Sequence, residues 1–270
     1  MTGRAPLFVH TKTVLAKSLV ARAATLGRRP AWLGFYAIVL LAWAGLYAMA
    51  LPPEMLAAAS AYGAEFWLAL CQVPPGLAGY PSIFAMWVIM AAAMMAPGFV
   101  PALTTYDDLT QGRGFWPFTA GYALVWLGAS AVAAWLQLGF STLGISTPQG
   151  VALTPWFAAL LLALAGAYQF SPLKQACLSR CRAPLAFFMS HWRENAGVSL
   201  GLRHGLDCLG CCWALMALAF AGGTVSPLFM GVATLLMAVE KLPGPGRYIS
   251  APLGVALLVG ATATALAAIV

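Results

Sequence analysis

The run Asp207-Cys208-Leu209-Gly210-Cys211-Cys212-Trp213 opens a segment that is otherwise lipid-soluble, and Cys177 and Cys181 precede it, so five of the six cysteines fall between positions 177 and 212. Thiolates are soft-metal ligands and redox nucleophiles, and their concentration at a membrane boundary points to one of those two chemistries. On a helix His204, Cys208, Cys211 and Cys212 stand at i, i+4, i+7 and i+8, which is one stripe, and Met216 extends it by a further turn. Cys177 and Cys181, four apart, share a helical face and could ligate one ion together. A packing role is the bland alternative, because cysteine behaves as a small hydrophobe and Gly205 and Gly210 permit close helix approach. His204 and Asp207 weigh against it, since packing alone does not call for polar groups there.

Met86, Met90 and Met94 form a second sulfur series at i, i+4 and i+8, with Met95 adjacent and Pro97 expected to end the run. A methionine stripe on an alanine-rich helix is ordinarily core. Its depth offers another reading: descending from the outer face, the stripe reaches the bilayer centre, where Met216 is also expected. A thioether ladder ending at thiolates suits Cu(I), a soft cation that needs no charged ligand along its route. Zinc is the runner-up ion, because four thiolates make a tetrahedral structural site that would clip a loop to a helix. The redox alternative rests on Cys208 and Cys211 as a Cys-x-x-Cys unit at an expected helix N-terminus, where the helix dipole lowers a thiol pKa. It lacks a matching outer pair, since Cys71 stands alone. In a third reading the chain is a subunit of a larger membrane complex and its sulfurs only pack.

The elements that must position these residues follow from composition. With 62% hydrophobic and 8% charged residues over 270, and a mean hydropathy of +0.85, the chain reads as an all-α, polytopic membrane helix bundle. Apolar windows at 32–51, 82–103, 115–140, 151–170, 205–222, 227–240 and 248–270 give about seven transmembrane helices, the sixth being short. With a cytoplasmic N-terminus all fourteen Lys and Arg fall on the inner side, leaving only Glu54 and Glu65 as charges in the outer loops. The net charge of +7 therefore indicates topology and contact with anionic lipid, and not nucleic acid.

Residues 1–31 read as a basic amphipathic segment on the inner leaflet, and 32–270 as one transmembrane domain with a cysteine-containing inner loop at 171–204. That loop is expected to hold one or two short helices broken at Pro184. Glu240 is expected to pair locally and Lys241 to extend toward the headgroups, and Asp107 and Asp108 to be solvated. No phosphate-binding glycine loop, zinc-hydrolase signature or mid-span histidine pair is present. Nothing names a substrate, and the balance is against an enzyme.

Met86-Trp87 through Ala93-Met94-Met95-Ala96-Pro97, the stretch from Tyr168-Gln169-Phe170-Ser171-Pro172 through Cys177 and Cys181 to Pro184, the Cys208-Leu209-Gly210-Cys211-Cys212-Trp213 core and Glu240-Lys241 together resemble a bacterial family of predicted metal-binding integral membrane proteins. The resemblance implies an inner-membrane location and metal binding at Cys177, Cys181, Cys208, Cys211 and Cys212. Taken together, the expectation is an inner-membrane protein that binds a soft metal, copper before zinc, for transport, homeostasis or delivery. Its partners would be the lipid bilayer and a membrane metalloenzyme or metallochaperone. Cys208, Cys211 and Cys212 are the first ligands, Cys177 and Cys181 the second set, and His204 and Met216 auxiliary, with Met86, Met90 and Met94 as the route.

Overall fold

Proline at the first helical position, usually behind a hydroxyl cap, starts much of this bundle. The computed structural model describes residues 30–50, 76–193, 196–223 and 226–269. The basic segment 1–31 (apart from its last two residues), Cys71, Glu54, Glu65 and Glu194 lie outside the described residues. The helices are α1 (Pro30–Met49), α2 (Tyr80–Leu109, after a 3-10 turn at Gly76–Gly79), α3 (Phe115–Thr142), α4 (Pro155–Gln169) and α5 (Pro172–Arg182). They continue with α6 (Pro184–His191), α7 (Gly197–Ala217), α8 (Ala219–Gly222), α9 (Pro227–Glu240) and α10 (Gly246–Ala267). Among the described residues the only β pairing is a single antiparallel bridge, Ser146 to Ala152. Thr154, Ser171 and Ser226 cap α4, α5 and α9, their hydroxyls accepting from the backbone N–H of Phe157, Lys174 and Phe229.

The chain divides into two compact units, Met1–Leu41 and Ala42–Val270. The described part of the first is the opening of α1, an apolar helix. The second holds everything that follows. Five helical segments are long and apolar enough to cross a bilayer: α1, α2 with its preceding turn, α3, α7 with α8, and α10. A sixth exists only as α4 and α5 together, and that pair bends by 64°. The 14-residue α9 is about 21 Å long, short of the ~30 Å hydrocarbon core. Seven spans were expected; among the described residues five helical segments meet the length, or six with the bent pair.

Two boundaries differ instructively from expectation. Helix α2 runs through Pro97 and Pro101 to Leu109, six residues past the expected 103. A proline frees the carbonyl four residues back, and here the freed Ala93 carbonyl takes the Trp43 indole N–H at 3.1 Å, so the helix can run on. Helix α7 starts at Gly197, eight residues ahead of the expected 205. Its early turns carry His204 and Asp207 because their polar side chains find partners or shelter in the bundle. The break at Pro184 falls where expected, between α5 and α6.

The packing that matters most is α3 against α7. Gly197, Gly201 and Gly205 recur every fourth residue along α7, and the α3 backbone fits against them. A Cβ at Gly201 would collide with the Phe118 carbonyl, one at Gly121 with the Val198 carbonyl, and one at Gly205 with Val125. Helices α4 and α10 cross in the same way at Gly166 and Gly254.

Contacts also distinguish the two ends of the bundle. At one end the loop 143–154 meets α3 and α8, through Gln137 to the Pro148 carbonyl and Ala152 to the Phe220 carbonyl. At the other, the end of α2 meets α6 through Tyr106 and Phe188. There α5 lies beneath the turn joining α9 and α10: Arg182 donates to the backbone carbonyls of Glu240 and Gly246, both at 2.7 Å. Arg113, Lys174, Arg180, Arg182, Lys241 and Arg247 all belong to this second, basic end.

Glu240 does not pair locally. Its carboxylate takes the Lys174 ammonium at 2.9 Å and the Ser250 hydroxyl at 2.8 Å, with both ionic side chains no more than 2% exposed. The fixed bend after Ser171 carries Lys174 within reach, which is why a residue 66 positions away wins over any neighbour. Asp107, expected to be solvated, is buried at the end of α2.

Substituting Gly201→Leu is expected to force α3 and α7 apart at a cost of about 1–3 kcal/mol, read as a lower thermal midpoint in detergent; an unchanged midpoint would count against the glycine crossing. Lys174→Met, which strands the buried Glu240 carboxylate, should cost about 3–5 kcal/mol. Adding Glu240→Gln should recover part of that loss in the same melt, and a double variant less stable than the single one would contradict the pairing.

Candidate metal centre

Three turns into α7, the 3.6-residue repeat places Cys208, Cys211 and Cys212 on the face turned toward α2 and α3. Their sulfurs lie within 4.8 Å of one another, and all three residues are buried. The thiols of Cys211 and Cys212 donate back to the Cys208 carbonyl at 3.1 and 2.8 Å, the usual resting place of a protonated thiol in a helix. The Cys212 sulfur also touches the Met95 sulfur at 3.5 Å. Thus α2 supplies a thioether to the cluster, and it is Met95 that reaches the thiols.

Cys208 has two further neighbours. The Tyr122 hydroxyl stands 3.2 Å from its sulfur and 3.3 Å from the Met95 carbonyl. The α3–α7 glycine crossing brings Tyr122 there, and its ring stacks on Phe99. The Lys241 ammonium lies 3.1 Å from the same sulfur. Lys241 was expected to reach out to the headgroups; instead it runs inward and is buried. Gly98 admits it, since a Cβ at that position would stand 2.7 Å from the ammonium nitrogen.

The α5 cysteines divide between two tasks. Cys181 lies near Cys211 but outside the sulfur trio. Cys177 instead packs its sulfur on Gly210, where a Cβ would come within 2.7 Å. Both are buried, and the five described cysteines are free thiols. On the outer flank of α7, Arg180 pairs with Asp207 at 2.7 Å, with the arginine side chain 53% exposed. From α4, the Tyr168 hydroxyl donates to the Gly210 carbonyl at 2.5 Å and its ring meets Trp213 edge-on. The Cys-Leu-Gly-Cys-Cys segment is therefore gripped from both sides.

His204 lies one turn ahead of Cys208 on the same face but outside the sulfur trio. Its ring is enclosed by Phe99, Phe118, Tyr122 and Phe187 at centroid distances of 5.5–6.1 Å, and its Nδ1 is buried without a hydrogen-bond partner. Met216 lines an apolar cavity of about 700 Å³ together with Trp87, Trp126 and Phe220. Met86, Met90 and Met94 are all buried along α2.

The donors brought together are thiols and a thioether, and no carboxylate enters the trio, so the set fits a soft ion and suits neither magnesium nor calcium. Sequence reasoning found the cysteines and missed Tyr122, Met95 and Lys241 as their neighbours. A tyrosine in mid-span, away from either interface, was the available signal for Tyr122. Lys241 follows a carboxylate at a helix end, a position where extension into the headgroups and burial look alike.

The helix-dipole argument offered for thiol redox chemistry does not apply at Cys208. Cys208 stands eleven residues past the first residue of α7, and the dipole effect is confined to the first turn.

No curated protein and no solved structure matches the chain. The family model of PpoB2, described as a copper chaperone, matches residues 84–264, a stretch that holds most of α2, both cysteine segments and the Glu240-Lys241 pair. That match covers two thirds of the 270 residues and carries the whole sulfur cluster, so the chain belongs to the PpoB2 copper chaperone family.

Proposed function

We propose that this chain is a multi-pass protein of the bacterial inner membrane that takes up Cu(I) at its buried sulfur cluster and delivers it to a membrane metalloenzyme. The observation that carries the reading is the trio Cys208, Cys211 and Cys212, mutually within 4.8 Å, with the Met95 thioether 3.5 Å from Cys212. Tetrahedral ligands on a metal–sulfur bond of about 2.3 Å stand about 3.8 Å apart. Small rotations of the three side chains therefore suffice to close the set on one ion. Each thiol that ligates gives up its proton to form a sulfur–metal bond, and no electron is transferred.

Around that centre the other sulfurs take graded parts. Cys181, beside Cys211, and Cys177, one turn behind it on α5, form a second ligand set through which the ion is passed by exchange of one thiolate for the next. His204 and Met216 are auxiliary. Met94, Met90 and Met86 extend along α2 toward the opposite end and offer thioethers as a route. The basic end faces the cytoplasm by the positive-inside rule, so loading from a metallochaperone takes place there. Copper is thus cargo, and the protein performs no covalent chemistry on a substrate.

Zinc remains the competing ion, because Cys181 supplies the fourth thiolate that a structural clip between α5 and α7 needs.

The deciding experiment is metal content by mass spectrometry on protein purified anaerobically in detergent, wild type beside a Cys208→Ser, Cys211→Ser, Cys212→Ser triple variant. Stoichiometric copper in the wild type and its loss in the variant is the expected result. Zinc in place of copper would convert the site to a structural clip. No metal in either, with thiols that oxidise and reduce reversibly, would return the cluster to redox chemistry.

A further inference from the structure

We propose that Lys241 is the counter-charge of the copper site: its ammonium remains beside the sulfurs when the ion is bound and fixes the complex held there as one Cu(I) on two thiolates. This deepens the functional reading above and rests on it. The inference comes from the distribution of charge around the cluster. Glu240 is taken by Lys174 and Ser250. Asp207 is taken by Arg180. Arg182, partly exposed, faces the backbone carbonyls of Glu240 and Gly246. Among the described residues no carboxylate is ion-paired with Lys241. Its ammonium stands 3.1 Å from Cys208, whose sulfur is clustered with those of Cys211 and Cys212 and contacts the Tyr122 hydroxyl.

A buried ammonium without an anion is costly, and the fold admits this one deliberately, through the gap at Gly98. The charges then constrain the ligand. Cu(I) on two thiolates carries −1, and with Lys241 the buried site sums to zero, the Met95 thioether adding a neutral third donor. Zinc on four thiolates carries −2 and leaves one negative unit unanswered, so the clip described above fits the lysine less well. Zinc on three thiolates would also balance. The lysine therefore sets the net charge, and the Met95 thioether, which is outside zinc's usual Cys, His and carboxylate donors, favours Cu(I). Tyr122, whose hydroxyl donates to the Met95 carbonyl and contacts the Cys208 sulfur, is neutral and cannot replace the charge.

The test is Cu(I) affinity, measured anaerobically on the full chain in detergent by competition with a chromophoric Cu(I) chelator, for wild type, Lys241→Arg, Lys241→Gln and Lys241→Met. Two opposite charges about 4 Å apart interact strongly even at an effective dielectric of 20. The Gln and Met variants should therefore bind about 100-fold more weakly, with the stoichiometry at saturating Cu(I) unchanged. Arg should bind more tightly than Gln. Methionine is close in shape to lysine, and Gln keeps a hydrogen-bond donor, so a fold defect in one leaves the other to decide, with helical circular dichroism as the control. Gln or Met within threefold of wild type, or Arg no better than Gln, overturns the counter-charge role. If wild type itself fails to take Cu(I), the copper reading falls and this inference with it, a result distinct from wild type and variants binding alike.

Discussion

The Lys174–Glu240 ion pair, with neither side chain more than 2% exposed, decides how the basic end of the bundle is assembled. An ionised carboxylate at that depth must be answered by charge and by hydrogen bonds, and Glu240 receives both, from α5 and from α10. Meeting that demand ties the bent α5 to the α9–α10 turn, which Arg182 reinforces through two backbone carbonyls. Two consequences reach the sulfurs. Helix α5 is held so that Cys181 lies beside Cys211, and the residue after Glu240 is directed inward, so that Lys241 ends on Cys208.

A second constraint comes from the backbone. Helices in lipid gain nothing from hydrophobic contact with one another, so close approach through small residues supplies the association. The α7 glycines let α3 approach closely enough for Tyr122 to touch Cys208 and the Met95 carbonyl at once. Helix α2 runs unbroken past Pro97 because Trp43 answers the carbonyl that the proline frees. Without that continuity Met95, Gly98 and Phe99 would not share a surface, and these three meet Cys212, Lys241 and Tyr122 respectively.

What could be read from the sequence was periodic or compositional. The cysteine stripe of α7 follows from i, i+4, i+7 spacing, the apolar windows from composition, and the basic end from the run of Lys and Arg. The unread part was tertiary. Residues 174 and 240 are joined by a bend that no local pattern encodes, and Met94 and Met95 differ by one step of about 100° around a helix, which only the neighbouring helix resolves. The short α9 satisfies hydropathy as an apolar 14-mer and falls below the usual span length, as its sequence window already indicated. The expected N-terminal dipole at Cys208 failed because the glycine- and polar-containing stretch 197–207 resembles a loop in composition, yet its glycine spacing packs it against α3.

A carrier of copper must hold the ion against competing thiols and yet release it to a partner, and those demands conflict in a rigid site of ideal geometry. An excess of sulfur resolves the conflict. Cu(I) requires only two or three soft donors, and this end of the bundle offers three clustered thiols, a thioether in contact and a fourth thiol one neighbour away. On the proposed function, more donors than the ion can use at once would give each departing sulfur a replacement within reach, and the ion would move by exchange without passing through a bare state in a low-dielectric interior. Five buried thiols where two would bind is the composition that the proposed transfer calls for. A structural clip would need four in fixed positions, and Cys177, packed on Gly210, would be surplus to it.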